Sequence, residues 1–330
     1  MDLSTDYLGF RLPHPLIVGA SPMADDLDMV RRLADAGAAA VVMRSLFEEQ
    51  LTAESMAVNR STEMPEESFA EALTYFPSPA EFKLGPDEYL EQIRKLKQAV
   101  GVPVIASLNG STPGGWLEYG RQIAEAGADA LELNLYYVAT DPAEPGESIA
   151  RRKIEMVGAV KKAVQIPVAV KISPFYTSVS NMAASMEQAG ADGLVIFNHL
   201  FEPDIDLEEL EVAPRLIPSD SSRLLHRLRW LAILSERVKL SLAVTGGVHS
   251  GTDALKAVMC GAHAVQLVSA VLRHGPQRLA EMRQEMSHWL EEKEYESLGQ
   301  AQGSMNLAKS PDPRAFQRGN YARLLQTWQA

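Results

Sequence analysis

The chain has 330 residues, of which 46% are hydrophobic and 22% charged, with a formal net charge of −12. That balance describes a folded chain able to bury a large core, and an acidic chain without a basic cluster is a poor partner for nucleic acid or an anionic membrane. The lone cysteine, Cys260, excludes an intramolecular disulfide and a multi-cysteine metal site.

In chain order, residues 1–6 carry no basic and apolar leader, and no apolar run is long enough to span a bilayer, so a cytoplasmic location with no membrane partner is expected. Residues 3–15 predict a small hairpin ahead of the first apolar strand, at 15–21. A recurring phrase then sets the architecture: Ala36-Gly-Ala-Ala-Ala-Val-Val-Met-Arg44, Ala126-Gly-Ala-Asp-Ala-Leu-Glu-Leu-Asn134, Ala189-Gly-Ala-Asp-Gly-Leu-Val-Ile-Phe-Asn198 and Gly261-Ala-His-Ala-Val-Gln-Leu-Val268. Each copy supplies a glycine that ends a helix, a short turn and an apolar strand. Further strands are predicted at 101–108 and 165–174, where proline stands at the strand start, and at 240–246. Helical periodicity fills the gaps, roughly at 27–36, 87–100, 116–126, 149–164, 180–189, 222–238 and 252–260.

Eight apolar strands alternating with helices predict an all-parallel closed sheet, a (β/α)8 TIM barrel with its core at about 15–275; a doubly wound open sheet is the fallback. The whole chain reads as a single domain. Long inserts at 46–86 and 198–220 follow strands two and six on the face where barrels carry their sites, which makes them candidate lids. Residues 276–330 predict a helical tail packed on the barrel or on a second subunit. Cys260, at the end of an apolar helix, reads as packing.

The C-terminal strand ends carry Ala20 and Ser21, Arg44 and Ser45, Ser107 and Asn109, Asn134 with Tyr136 and Tyr137, Lys171, Asn198 and His199, Gly246 and Gly247, and Gln266 with Ser269. A period of two puts Glu132, Asn134 and Tyr136 on one face. An unpaired lysine closing an apolar strand is costly to bury, and a bound anion would compensate it; Glu132 is read separately as a partner for a barrel cation. Gly246 and Gly247, with the loop after Gln266, occupy the seventh and eighth strand–helix loops, the usual phosphate site of this fold. His249, in the seventh loop, is a candidate phosphate contact but reads first as solvent-facing. No spacing suggests a metal.

Gly19-Ala-Ser21, Glu132-Leu-Asn-Leu135, Val170-Lys-Ile-Ser-Pro174, Phe197-Asn198, Thr245-Gly-Gly-Val248 and Gln266-Leu-Val-Ser269, in this order, resemble the dihydroorotate dehydrogenase family of FMN barrels, specifically its soluble class 1-like members. The resemblance implies an FMN across the barrel mouth with its phosphate near Gly246, Gly247 and Ser269. Lys171 matches the family's flavin lysine, which stabilises negative charge on reduced flavin. Ala20, Ser21, Ser107 and Asn134 match flavin-lining positions, with Arg44, Ser45, Asn109 and Gln266 at the same strand ends. Asn134 and Asn198 match asparagines that hold orotate, beside Tyr136. The implied reaction is hydride transfer between flavin N5 and the CH–CH bond of a small substrate. Electrons would pass to a soluble acceptor or redox protein, and the implied assembly is a homodimer.

The pattern departs from the family at Asn134-Leu-Tyr-Tyr-Val-Ala139. Tyr137 stands where the family has its proton-abstracting cysteine or serine, Ala139 replaces an asparagine, and Ala72-Leu-Thr-Tyr-Phe-Pro77 offers none. A phenol with a pKa of about 10 is a donor at neutral pH unless a cation such as Arg44 or Lys171 lowers it. His199 is the alternative proton donor or acceptor. Three functions follow: an FMN oxidoreductase acting on dihydroorotate or another small substrate; a flavin- or phosphometabolite-binding protein that has lost the activity and works through a partner; and an aldolase-like barrel using Lys171 as a Schiff base.

Overall fold

The structure, a computed structural model, describes residues 1–47, 85–110, 113–198, 203–214, 217–317, 321 and 325–326. Its centre is a closed parallel barrel. β3 (Leu16–Val18), β4 (Val41–Phe47), β5 (Val104–Asn109), β6 (Ala130–Asn134), β7 (Val168–Ile172), β8 (Gly193–Ile196), β11 (Ser241–Thr245) and β12 (Ala264–Leu267) pair in that order, and β12 closes on β3. The (β/α)8 expectation is met and the open-sheet fallback is not.

The recurring phrase explains how the units join. Gly37, Gly127, Gly190 and Gly261 all have φ between 92° and 113°, the left-handed turn that only glycine adopts without strain. The residue two places on then reaches the neighbouring strand. Asp129 Oδ2 accepts from the Val104 amide at 2.7 Å and from Lys97 Nζ at 2.7 Å. Asp192 Oδ2 does the same with Val168 at 2.8 Å and Lys161 at 2.5 Å. In the last copy, His263 Nδ1 accepts from Leu242 at 3.0 Å. The first copy has Ala39 there, and the strand beside it is served by His14 instead, whose Nδ1 accepts from Leu16 at 3.3 Å. Each clamp satisfies an amide in the first two residues of a barrel strand.

The barrel narrows to a floor of small inward side chains: Ala130, Ala169, Val195, Ala243 and Ala264 surround Ile17, Val42 and Ile105. The predicted N-terminal hairpin, β1 (Thr5–Tyr7) and β2 (Phe10–Leu12), plugs this floor. Its two-residue turn, Leu8 and Gly9, has φ of 52° and 82°, the twist a tight hairpin needs. Leu8 tolerates that conformation because its side chain fills the space above Gly193, where an added Cβ would lie 2.6 Å from Leu8 Cδ2. Thr5 and Leu8 also hydrogen-bond to His263 O and Ser241 Oγ.

Outside the barrel, the sequence-predicted helix at 222–238 is shorter, ending as a helix at Leu234. The insert after β8 forms a hairpin, β9 (Pro203–Asp206) with β10 (Glu211–Pro214), while nearly all of the insert after β4 lies outside the described residues. The tail begins with the helix Arg278–Glu292, packed against the helix Gly251–Met259. Beyond it the chain returns to its start: Asp2 bridges Ser297, and the Leu298 amide donates to Asp2 O at 2.8 Å. Cys260 is buried, as expected, and burial pushes its thiol up to about 11. Among the described residues no helix is long and apolar enough to cross a membrane.

His14 and His263 are held neutral, burial being the main cause, and His14 is driven down to about 4. A histidine with a depressed folded pKa stabilises the fold fully above its unfolded value near 6.5 and loses that contribution as the pH falls toward the folded one. Stability is therefore expected to decline between about pH 6.5 and pH 4, by about 3 kcal/mol for His14 alone. Urea titrations across this range should show the decline flattened in His14→Asn, which retains an acceptor for Leu16.

Candidate functional site

The alternation of β6, β7 and β12 turns Glu132, Lys171 and Gln266 into the barrel above the apolar floor. All three are buried, at 1%, 7% and 1% exposure, and they answer one another. Lys171 Nζ lies 3.0 Å from Glu132 Oε1 and 3.3 Å from Gln266 Oε1, and Gln266 Nε2 donates to Glu132 Oε2 at 2.5 Å. The partner of the strand-end lysine is thus Glu132; no bound anion is required to balance it. Glu132 also pushes the buried Tyr7 phenol upward, after desolvation.

One residue pair higher, the mouth is polar. Asn134 stands opposite Lys171 in the β6–β7 register. Ser45 Oγ and Ser107 Oγ share a hydrogen bond of 2.7 Å, and Asn134 Nδ2 reaches Ser45 Oγ at 3.4 Å, leaving Asn134 Oδ1 buried without a partner. Tyr89 fixes Ser107 from behind, donating to its carbonyl at 3.0 Å and accepting from its amide at 2.9 Å. Asn198 Nδ2 donates to Lys171 O at 3.4 Å.

These groups open into a cavity of about 280 Å³. Of the residues singled out in the sequence, it gathers Ala20, Ser45, Asn134, Lys171, Asn198, Gly246, Gly247, Gln266 and Ser269. Ser107 lies just beneath, holding Ser45. Ser21 is buried beside the lining with its hydroxyl unpaired. Arg44 is absent from the lining, its Nε paired with Asp25 at 3.4 Å. Asn109 and Tyr136 line a neighbouring cavity that shares only Phe47 with the first. His199 lies outside the described residues.

At one end of the cavity the backbone is shaped for an anion. Gly246 and Gly247 have φ of 82° and 84°, and a Cβ at Gly247 would sit 2.3 Å from the Leu224 amide nitrogen. Ser219, which sequence reasoning passed over because its insert has no periodicity, places its hydroxyl here. Ser219 Oγ accepts from the Gly247 amide at 3.2 Å, and lies 3.3 Å from both Ser269 Oγ and His249 Nε2. That hydroxyl stands where an anionic oxygen would collect the same donors. Arg227, buried behind the turn, donates from Nε to Thr245 O and adds positive charge. His249 faces this corner, as its reading as a phosphate contact expects, and not solvent.

Tyr137 goes elsewhere. It follows the last paired residue of β6, is 44% exposed, and donates to Glu144 Oε2 at 2.6 Å. That hydrogen bond raises its pKa, and the cations beside its ring are Arg152 at 5.2 Å and Lys153 at 5.7 Å. Neither Arg44 nor Lys171, the cations invoked from the sequence, is its neighbour, and the phenol lies outside the cavity that holds Lys171.

The Glu132–Lys171 pair gives a direct test of this site. Removing one partner of a buried ion pair strands the other, so Glu132→Gln should destabilise the fold by about 3–5 kcal/mol, read as a lower urea midpoint at unchanged slope.

Comparison with known proteins agrees with this geometry. A family model described as dihydroorotate dehydrogenase matches residues 82–290. The catalytic subunit of dihydroorotate dehydrogenase B (NAD(+)) from Geobacter sp. (strain M21) is 31% identical over 240 residues, covering 68% of this chain and 75% of that one. The corresponding subunit from Methanocaldococcus jannaschii is 28% identical over 291 residues, 83% and 88% of the two chains. The NAD-dependent dihydropyrimidine dehydrogenase subunit PreA of Escherichia coli (strain K12) is 24% identical over 325 residues, 92% and 77%. With a closed parallel barrel, a lysine at its mouth and a match over more than half its length, the chain belongs to the dihydroorotate dehydrogenase family.

Proposed function

We propose that this protein is an FMN-dependent oxidoreductase that reduces or oxidises a CH–CH bond of a small planar or carboxylate-bearing substrate. The observation that carries the reading is one continuous cavity with a buried ammonium, Lys171, at one part and the glycine-lined anion corner at another. Bound FMN would supply the two-electron chemistry. Ser219 would yield its place beside Gly247, Ser269 and His249 to the phosphate, and the orphaned Asn134 Oδ1 would gain a partner. Lys171, paired with Glu132, would stabilise negative charge developing nearby. Asn134 and Asn198 would orient the substrate.

Dihydroorotate itself is one candidate substrate, and reduced pyrimidines are another, since the relatives named above act with each. Their names also support an electron partner, a soluble acceptor or a redox protein. A homodimer is part of the proposal: the β9–β10 hairpin leaves Ile205, Leu207, Leu210 and Val212 exposed near the mouth. A cytoplasmic setting suits the single free thiol. A reading as a binding protein without turnover is favoured by one observation, the displacement of Tyr137 from the cavity.

Two measurements test this. The purified chain should take up FMN with its visible absorbance, and Gly247→Ala should weaken uptake by about tenfold or more, about 1.4 kcal/mol, because the added Cβ meets backbone rather than a movable side chain. A chain that never binds FMN would sink the proposal. Tyr137→Phe distinguishes the roles of the phenol. Flavin reduction by dihydroorotate or dihydropyrimidines should fall by less than about tenfold if Tyr137 stays on Glu144, whereas a loss of about 10² to 10⁴ would make it the proton-transfer group.

A further inference from the structure

Lys153 belongs to none of the machinery above. It sits on the helix Gly146–Ala163, in the run Arg151-Arg152-Lys153, and the two arginines before it are exposed while it is 8% exposed. Its ammonium has no carboxylate within ion-pair distance among the described residues. The nearest acid, Glu144, is already engaged by Arg152 Nη1 at 2.7 Å and by the Tyr137 hydroxyl at 2.6 Å. What Lys153 has instead is aromatic. Nζ donates to Tyr176 Oη at 3.2 Å and lies 5.3 Å from the centre of that ring and 5.7 Å from the centre of the Tyr137 ring. A phenol oxygen and a ring quadrupole soften the burial of a cation but do not neutralise it.

The surroundings are built for what is missing. Lys153 borders two cavities of about 620 Å³ each at the rim of the barrel. The first lies between the loops after β6 and β7 and is walled by Tyr137, Tyr176 and Phe175, the last 76% exposed. Ser173 and Ser178 also line it; each hydroxyl accepts a backbone amide, from Phe175 at 3.0 Å and from Asn181 at 3.2 Å, which leaves its own proton to donate. A buried cation, hydroxyl donors and aromatic walls around one space select a flat ring that carries an oxyanion.

We propose that Lys153 anchors a second ligand site, outside the flavin cavity, for a small aromatic or similarly planar carboxylate. The carboxylate pairs with Lys153 between Tyr137 and Tyr176, and the ring lies against Phe175. Because Tyr137 forms one wall, occupancy of this site would also fix the loop that follows β6. The site does not depend on the flavin reading, since none of the residues named here lines the cavity that holds Lys171.

Benzoate is the simplest probe. Titrated calorimetrically into the full chain, without FMN and then with FMN in excess, it should bind in both cases. Lys153→Met, which keeps the aliphatic stem, should weaken it by about tenfold or more, as expected for loss of a charge-assisted contact. Phe175→Ala, a change at an exposed position that leaves folding intact, should weaken it by a few-fold. Absence of benzoate binding would overturn the proposal, as would unchanged affinity in Lys153→Met. Binding abolished by FMN would overturn it by locating benzoate in the barrel mouth. Binding of inorganic phosphate with exclusion of benzoate would overturn the planar class of ligand.

Discussion

An ammonium inside a parallel barrel has to be answered from within, because every strand edge is already paired and no water-filled face is left to receive it. Lys171 is answered by Glu132 on the adjacent strand and Gln266 across the barrel, and much of the molecule's layout follows. The register that sets Asn134 opposite Lys171 puts Glu132 one inward position lower, so the carboxylate approaches the ammonium from the floor side and leaves the mouth side open. Below, the inward side chains of β6, β7, β11 and β12 shrink to alanine, and with Gly193 they make room for Leu8 and Tyr7 from the hairpin. The interior is therefore graded from apolar floor through a charged middle to a polar, open mouth.

The barrel was legible because its signals are local and repeated. Ala-Gly-Ala phrases, proline at strand starts and apolar runs of strand length each reflect a backbone requirement that sequence exposes directly. The inward face of β6 was legible for the same reason, since Glu132 and Asn134 obey the period of two. Tyr137 was not. It lies past the last paired residue, where alternation no longer dictates direction, and its orientation is set by Glu144, seven residues on, and by a helix. Ser219 escaped notice because an insert without periodicity gives no register from which to place a hydroxyl.

Lys153 shows the opposite failure. Among Arg151, Arg152 and Lys161 on one helix, a lysine reads as one more solvated charge, and helical periodicity alone cannot tell which of three consecutive basic residues turns inward. Packing against Tyr176, from the next strand–helix loop, decides it. The rim thus carries two cations of different kinds, one balanced inside the barrel by its own carboxylate and one left with only aromatic and hydroxyl neighbours, in a chain whose net charge is −12.

The contact between Asp2 and residues 297–298 has a consequence for how the chain is made. A polypeptide emerging from the ribosome presents β6 and β7 early, so Glu132 and Lys171 can meet while the sheet is still an open arc. Gln266 arrives with the final strand, and the backbone link that ties down the first residues comes about thirty residues later still, a distance of roughly 100 Å if fully extended. Nascent chains therefore hold the Glu132–Lys171 pair without Gln266, on the inner face of an open sheet whose free edges are β3 and β11, until β12 joins them. Chaperone dependence and aggregation during synthesis should be governed by that interval more than by the stability of the finished barrel.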